Sequence, residues 1–169
     1  MRTIAELNAL DRLAFVAELG HIFEHSPWVA ERAWAARPFA STEHLHAQMV
    51  AVVDHAAREE QLALIRAHPE LLGRLAQDTP LSAQSRREQA GAGLDAADLR
   101  ELATLASLNA AYREKFGFPF IVAVRGLDRA QIVARLAERL ANSPEVEFAT
   151  CLAQIARIAR FRLGDICEA

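Results

Sequence analysis

Residues 96–116 read AADLRELATLASLNAAYREKF, and Gly117 follows at once. The stretch is made of strong helix formers, and its apolar residues return at the three-and-four spacing of an amphipathic helix. Asp95 or Asp98 stands where an N-terminal cap belongs, and Gly117 where a helix closes. The same pattern extends in both directions. Downstream, FPFIVAV (118–124) is the only stretch that reads as extended. Asp128 caps RAQIVARLAERLA (129–141). Ser143, Pro144 and the acidic Glu145 and Glu147 open a last helix that runs to about Leu163. Upstream, SAQSRREQAGAG (82–93) predicts a short helix after an irregular stretch at 73–84. REEQLALIRA (58–67) is helical up to His68, where Pro69 disfavours helix in the residue before it. Ser41 or Thr42 caps EHLHAQMVAVVDHAA (43–57). SPWVAERAWAA (26–36) starts with a Ser cap and Pro27 in the first helical position. Asp11 begins DRLAFVAELGHIF (11–23), and Thr3 with Glu6 forms a capping box for a first short helix. The expectation is an all-α protein: one domain over residues 1–169, a bundle of about eight helices with an irregular or extended segment near 118–124.

A length of 169 residues suits a single domain with a sizeable core, and 52% hydrophobic with 24% charged residues describes a globular chain. No apolar run reaches the roughly 18 residues of a membrane span, and the N-terminus has charges inside its apolar pattern, unlike a signal peptide. The expected location is the cytoplasm. The net charge of -3 argues against a nucleic-acid partner. Cys151 and Cys167 have no metal-ligand spacing and read as two reduced thiols.

Several segments have residue types suited to chemistry. HIFEH (21–25) matches H-x-x-E-H, the inverted zinc-protease pattern. On a helix His21 and His25 would share a face, with Glu24 as base. A third ligand does not announce itself, and histidines at a helix C-terminus, where their positive charge is favoured, explain the pattern as well. His44, His46 and His55 read as a solvated face. His68 before Pro69 is at the least a helix stop, but an imidazole with a fixed backbone also suits proton transfer near neutral pH. Ser85, Glu88 and Gln89 would meet on one helical turn. FGFPFI (116–121) suggests an irregular backbone with apolar walls, where backbone N–H groups meet a ligand's oxygens. Among Arg157, Arg160 and Arg162, one reaching inward would make a bidentate carboxylate clamp.

Five segments, in this order, resemble one family, the 2-oxo-4-hydroxy-4-carboxy-5-ureidoimidazoline (OHCU) decarboxylases of the urate-to-allantoin pathway. They are SPWVAERAWAARPF (26–39), AHPELLGRL (67–75), SRREQAGAGL (85–94), LNAAYREKFGFPFIVAVRG (108–126) and IARIARFRLGD (155–165). The resemblance implies an all-α fold, no cofactor, no metal and a homodimer. By position, His68 resembles the catalytic histidine and Glu88 its acidic partner. Pro69, Ser85 and Gln89 resemble substrate contacts. The backbone at Phe118, Pro119, Phe120, Ile121 and Val122 resembles the ring-binding wall, and Arg162 the arginine on the carboxylate side.

The chemistry agrees with that reading. Decarboxylation needs a sink for an electron pair, which many enzymes supply as a Schiff base. Lys115 is the only lysine and sits beside a helix C-terminus, a poor place for one. OHCU brings its own sink, a conjugated C=N next to the carboxylated carbon. Two other classes remain as alternatives from the residues alone: a zinc hydrolase built on residues 21–25, and a helical interaction protein without catalysis.

Overall fold

The computed structural model describes residues 1–70, 87 and 99–168. Among them the chain forms eight α-helices: α1 (Ile4–Ala9), α2 (Arg12–Leu19), α3 (Trp28–Ala33), α4 (Thr42–Asp54), α5 (Arg58–Ala67), α6 (Leu99–Phe116), α7 (Arg129–Arg139) and α8 (Pro144–Ile166). A 3-10 turn, Trp34–Ala36, follows α3. The described residues contain no strand pairing beyond an isolated bridge between Arg2 and Cys167. The all-α expectation holds, and residues 119–124 form the irregular segment foreseen between α6 and α7.

Most helix starts are set by local side chains. Thr3 and Glu6 exchange backbone bonds as a capping box, and Asp128 and Gln131 do the same for α7. Asp11 and Ser41 each accept the N–H of the third residue on, Ala14 and His44. α3 differs from expectation. It begins at Trp28, with Pro27 in the cap position and no side-chain cap, while Ser26 is buried just ahead of it. α8 continues past Leu163 to Ile166. Of the short helix expected at 82–93, only Arg87 is described, and it is helical.

Two compact units divide the chain, one of residues 1–67 with 155–169, the other of residues 68–154. In the first, Leu7, Phe15, Leu19, Phe23, Phe39, Leu45, Met49 and Ile65 are among the buried apolar residues. The Phe15 and Phe39 rings stack at 5.9 Å. Asn8 joins that core to the chain after α3 by donating to the Phe39 carbonyl (2.9 Å) and accepting its N–H (2.8 Å). Two histidines depart from the solvated face expected of them. His44 Nδ1 accepts the Ala40 N–H at 3.1 Å, and a His46 ring nitrogen lies 2.8 Å from the Ala156 carbonyl. Both are half-buried, because an imidazole can satisfy a backbone group that an apolar side chain would leave unpaired.

In the second unit α6, α7 and the start of α8 surround an aromatic cluster. Tyr112 packs tilted on Phe116 at 4.6 Å and edge-on to Phe118 (6.2 Å) and Phe120 (5.3 Å). Phe118 also meets Phe148 edge-on at 6.3 Å. Lys115 donates to the carbonyls of Leu140 (2.6 Å) and Asn142 (3.0 Å), closing the C-terminal end of α7. The single lysine is thus engaged in holding the fold.

Candidate functional site

In the unit of residues 68–154, Gly117 ends α6 with a φ of 75°, and its N–H bonds the Arg113 carbonyl at 2.8 Å. That left-handed residue turns the chain so that Pro119 cannot extend the helix. Phe118 through Val124 are then all buried. This is an irregular backbone inside an apolar environment, where each amide needs a partner. The Ala123 N–H finds the Gln154 side-chain oxygen at 3.0 Å. The Ile121 N–H turns to the Cys151 sulfur, whereas among the described residues no protein acceptor takes the N–H of Phe118, Phe120 or Val122. A row of donors set in an apolar wall suits the oxygens of a flat, polar ring.

The other side of this wall is held by a buried polar network. Arg139 donates through Nη1 to the Ile121 carbonyl (2.5 Å) and through Nε and Nη2 to Glu147 Oε1 (2.8 and 2.5 Å). Its guanidinium also lies 4.5 Å from the centre of the Phe120 ring. Glu147 is 0% exposed and further accepts the Tyr112 hydroxyl and the Asn142 amide, the latter at 2.7 Å. Cys151 Sγ lies 3.4 Å from both the Tyr112 hydroxyl and Arg139 Nη2. Burial, then the neighbouring Cys151, pushes the Tyr112 hydroxyl far above its usual range, so it stays protonated and donates. Burial likewise raises the Cys151 thiol.

His68 belongs to the same unit. α5 stops at Ala67, and His68 is 8% exposed, with Pro69 also buried. Glu70, next in sequence, is tied to Arg113 of α6 at 2.6 Å. The histidine therefore sits between a helix end and a proline, with the following residue anchored by an ion pair. Ser85, Glu88 and Gln89 lie outside the described residues.

The unit of residues 1–67 and 155–169 contains the inward arginine. Arg157 and Arg160 are exposed; Arg162 is 1% exposed. Its Nη1 pairs with Glu24 Oε2 at 2.9 Å and donates to the Ile22 carbonyl at 3.3 Å. This pairing redefines HIFEH. α2 has ended at Leu19, and His25 has a φ of 49°, so residues 21–25 are not helical and the i, i+4 facing assumed for His21 and His25 does not arise. Glu24 is instead the counter-charge of Arg162. Nor is positive charge favoured at His21: desolvation first, then the Arg162 charge, lowers its pKa. Among the described residues no group of three metal-type ligands comes together.

Reading the sequence left the Tyr112–Arg139–Glu147 network unnoticed. A signal was available. Glu147 precedes Cys151 by four positions and Ile155 by eight, so a carboxylate stands on the apolar stripe of the last helix. Arg162, four after Ile158, carries the same mark. A charge in a stripe of core residues foretells a buried partner.

The chain matches the family model for OHCU decarboxylase over residues 8–164. It is 43% identical over 163 residues to the 2-oxo-4-hydroxy-4-carboxy-5-ureidoimidazoline decarboxylase of Haloferax volcanii, covering 96% of this chain and 95% of that one. It is 40% identical to the enzyme of the same name from Mus musculus, covering 98% and 93%. A uric acid degradation bifunctional protein of Bacillus subtilis is 45% identical over 98% of this chain and 33% of its own length. Among solved structures, an (S)-allantoin synthase superposes with a TM-score of 0.80 at 30% identity, over 99% of this chain and 54% of that one. No described helix is long and apolar enough to cross a membrane.

Proposed function

Because this chain belongs to the OHCU decarboxylase family, we propose a division of labour among its residues in the reaction it catalyses, the decarboxylation of OHCU to (S)-allantoin in urate degradation. The enzyme is a carboxy-lyase. When the carboxylate leaves as CO2, its electron pair enters the adjacent C=N of the ring. The ring nitrogen that receives this pair takes up a proton from solvent, the 4-hydroxyl gives up its proton to become the carbonyl, and the carbon bearing the ureido group receives one.

The observation that carries this reading is the buried wall at 118–122, with backbone donors on an apolar surface in the same unit as His68. The wall orients the ring through the amides near Val122 and desolvates the carboxylate, which favours release of neutral CO2. His68 exchanges the proton on one face of the ring, which makes a single enantiomer. Family position assigns Glu88 to orienting His68 or the substrate, Ser85, Gln89 and Pro69 to substrate contact, and Arg162 to the carboxylate. Residues 1–169 serve as one catalytic domain, without cofactor, in a cytoplasmic homodimer.

The test generates OHCU from urate with uricase and hydroxyisourate hydrolase, then adds this protein. Faster ultraviolet decay with dichroism of one allantoin enantiomer is the expected result. Decay at the spontaneous rate rejects the assignment. Activity lost to EDTA and restored by zinc favours a metal hydrolase instead. Light scattering of the eluted protein reads the dimer.

A further inference from the structure

The Ile121–Val122 peptide is trans, so its carbonyl and its N–H point in opposite directions. Arg139 Nη1 takes the carbonyl of that peptide at 2.5 Å. The Val122 N–H is thereby aimed away from Arg139. The next peptide is fixed as well, because its N–H, that of Ala123, donates to Gln154 at 3.0 Å. Val122 is held on both sides, and its own N–H is left facing away from the network without a protein acceptor among the described residues.

Arg139 is itself held in place. Two of its nitrogens bind one oxygen of Glu147, and Asn142 occupies the other oxygen at 2.7 Å. Its flat face covers Phe120 at 4.5 Å from the ring centre. Only a planar, forked cation meets a carboxylate, a carbonyl and a ring face together. A stabilising role for the fold alone would be met by the Glu147 pair; the third bond, to a main-chain carbonyl of the irregular wall, sets the direction of a donor.

We propose that Arg139, anchored by Glu147, is a positioning residue for the decarboxylation: it fixes the Ile121–Val122 peptide so that the Val122 N–H meets an oxygen of the bound ring. The proposal rests on the wall at 118–122 being the ring-binding surface. A donor that serves the bound substrate and the transition state alike governs KM more than kcat. A role in stability alone lowers the folded fraction, and with it the apparent kcat, and leaves KM unchanged.

The test is steady-state kinetics on OHCU made in situ, with far-ultraviolet dichroism to report folding. Wild-type protein is assayed first: no acceleration overturns the functional reading, and this proposal with it. With an active wild type, Arg139→Ala is expected to raise KM by about 10- to 100-fold while kcat stays within about threefold. Guanidinium at millimolar concentration, supplying the missing fork, should bring KM part of the way back in Arg139→Ala and leave His68→Asn unaltered. A folded Arg139→Ala with wild-type KM, or with kcat reduced and KM unchanged, overturns the proposal and leaves the functional assignment standing. Should Arg139→Ala fail to fold, Arg139→Lys decides, because it keeps a cation beside Glu147. A raised KM with retained kcat supports the proposal, and a wild-type KM overturns it.

Discussion

Arg162 and Glu24 form an ion pair at 2.9 Å with side chains only 1% and 3% exposed, making a nearly water-free pair of opposite charges. Taking both ions from water costs several kcal/mol each, which their attraction and the added Ile22 carbonyl bond offset. Removing one partner leaves the other charged and buried. Glu24→Ala is therefore expected to destabilise the protein by about 3–5 kcal/mol in urea unfolding. The double variant Glu24→Leu with Arg162→Met should recover most of that loss, because no lone charge remains. A double variant as unstable as Glu24→Ala contradicts this account.

His68 is buried at the stop between Ala67 and Pro69. If it moves the proton, His68→Asn keeps the size and polarity but not the titrating imidazole. The expected loss in kcat is about 10²- to 10⁴-fold, with a melting temperature close to wild type. Full activity in the folded variant removes the histidine from the mechanism.

The Tyr112 hydroxyl is held protonated by burial and donates to Glu147. Its folded pKa lies above its unfolded value near 10, so the stability it contributes is complete below about pH 10 and is lost as pH rises beyond it. Wild-type protein should lose stability with pH more steeply above about pH 10 than Tyr112→Phe does. Chemical unfolding at a series of alkaline pH values reads the two slopes. Equal slopes would place the alkaline loss elsewhere.

Gln154 gives the buried Ala123 N–H its acceptor. Gln154→Leu keeps the volume and removes the oxygen, at an expected cost of about 1–3 kcal/mol for the stranded donor. The freed peptide should also loosen the wall, seen as faster amide exchange at Ala123 and Val124 than in wild type. Unchanged exchange and stability would show that this amide finds another partner.

Much of the fold was legible because helix starts are decided within four residues. Thr3 with Glu6, Asp11, Ser41 and Asp128 each bond a neighbouring backbone N–H, and each was readable from the chain. Ser26 was the exception. It is buried ahead of Pro27, and α3 starts without a side-chain cap. HIFEH misled for a related reason: its spacing has meaning only on a helix, and α2 stops at Leu19.

The sequence by itself determined an all-helical chain, the break at Pro69, the irregular wall after Gly117, and a family resemblance across most of the length. Those features follow from local geometry and from order along the chain. Only the tertiary structure decided that Arg162 is the inward arginine, that Glu24 is its counter-ion, and that Arg139 grips the Ile121 carbonyl. Ile22 and Arg162 are 140 residues apart, and Tyr112 and Glu147 are 35. Burial gives these pairings their strength, because a charge without water must find its partner inside the protein, however far off it lies in the sequence.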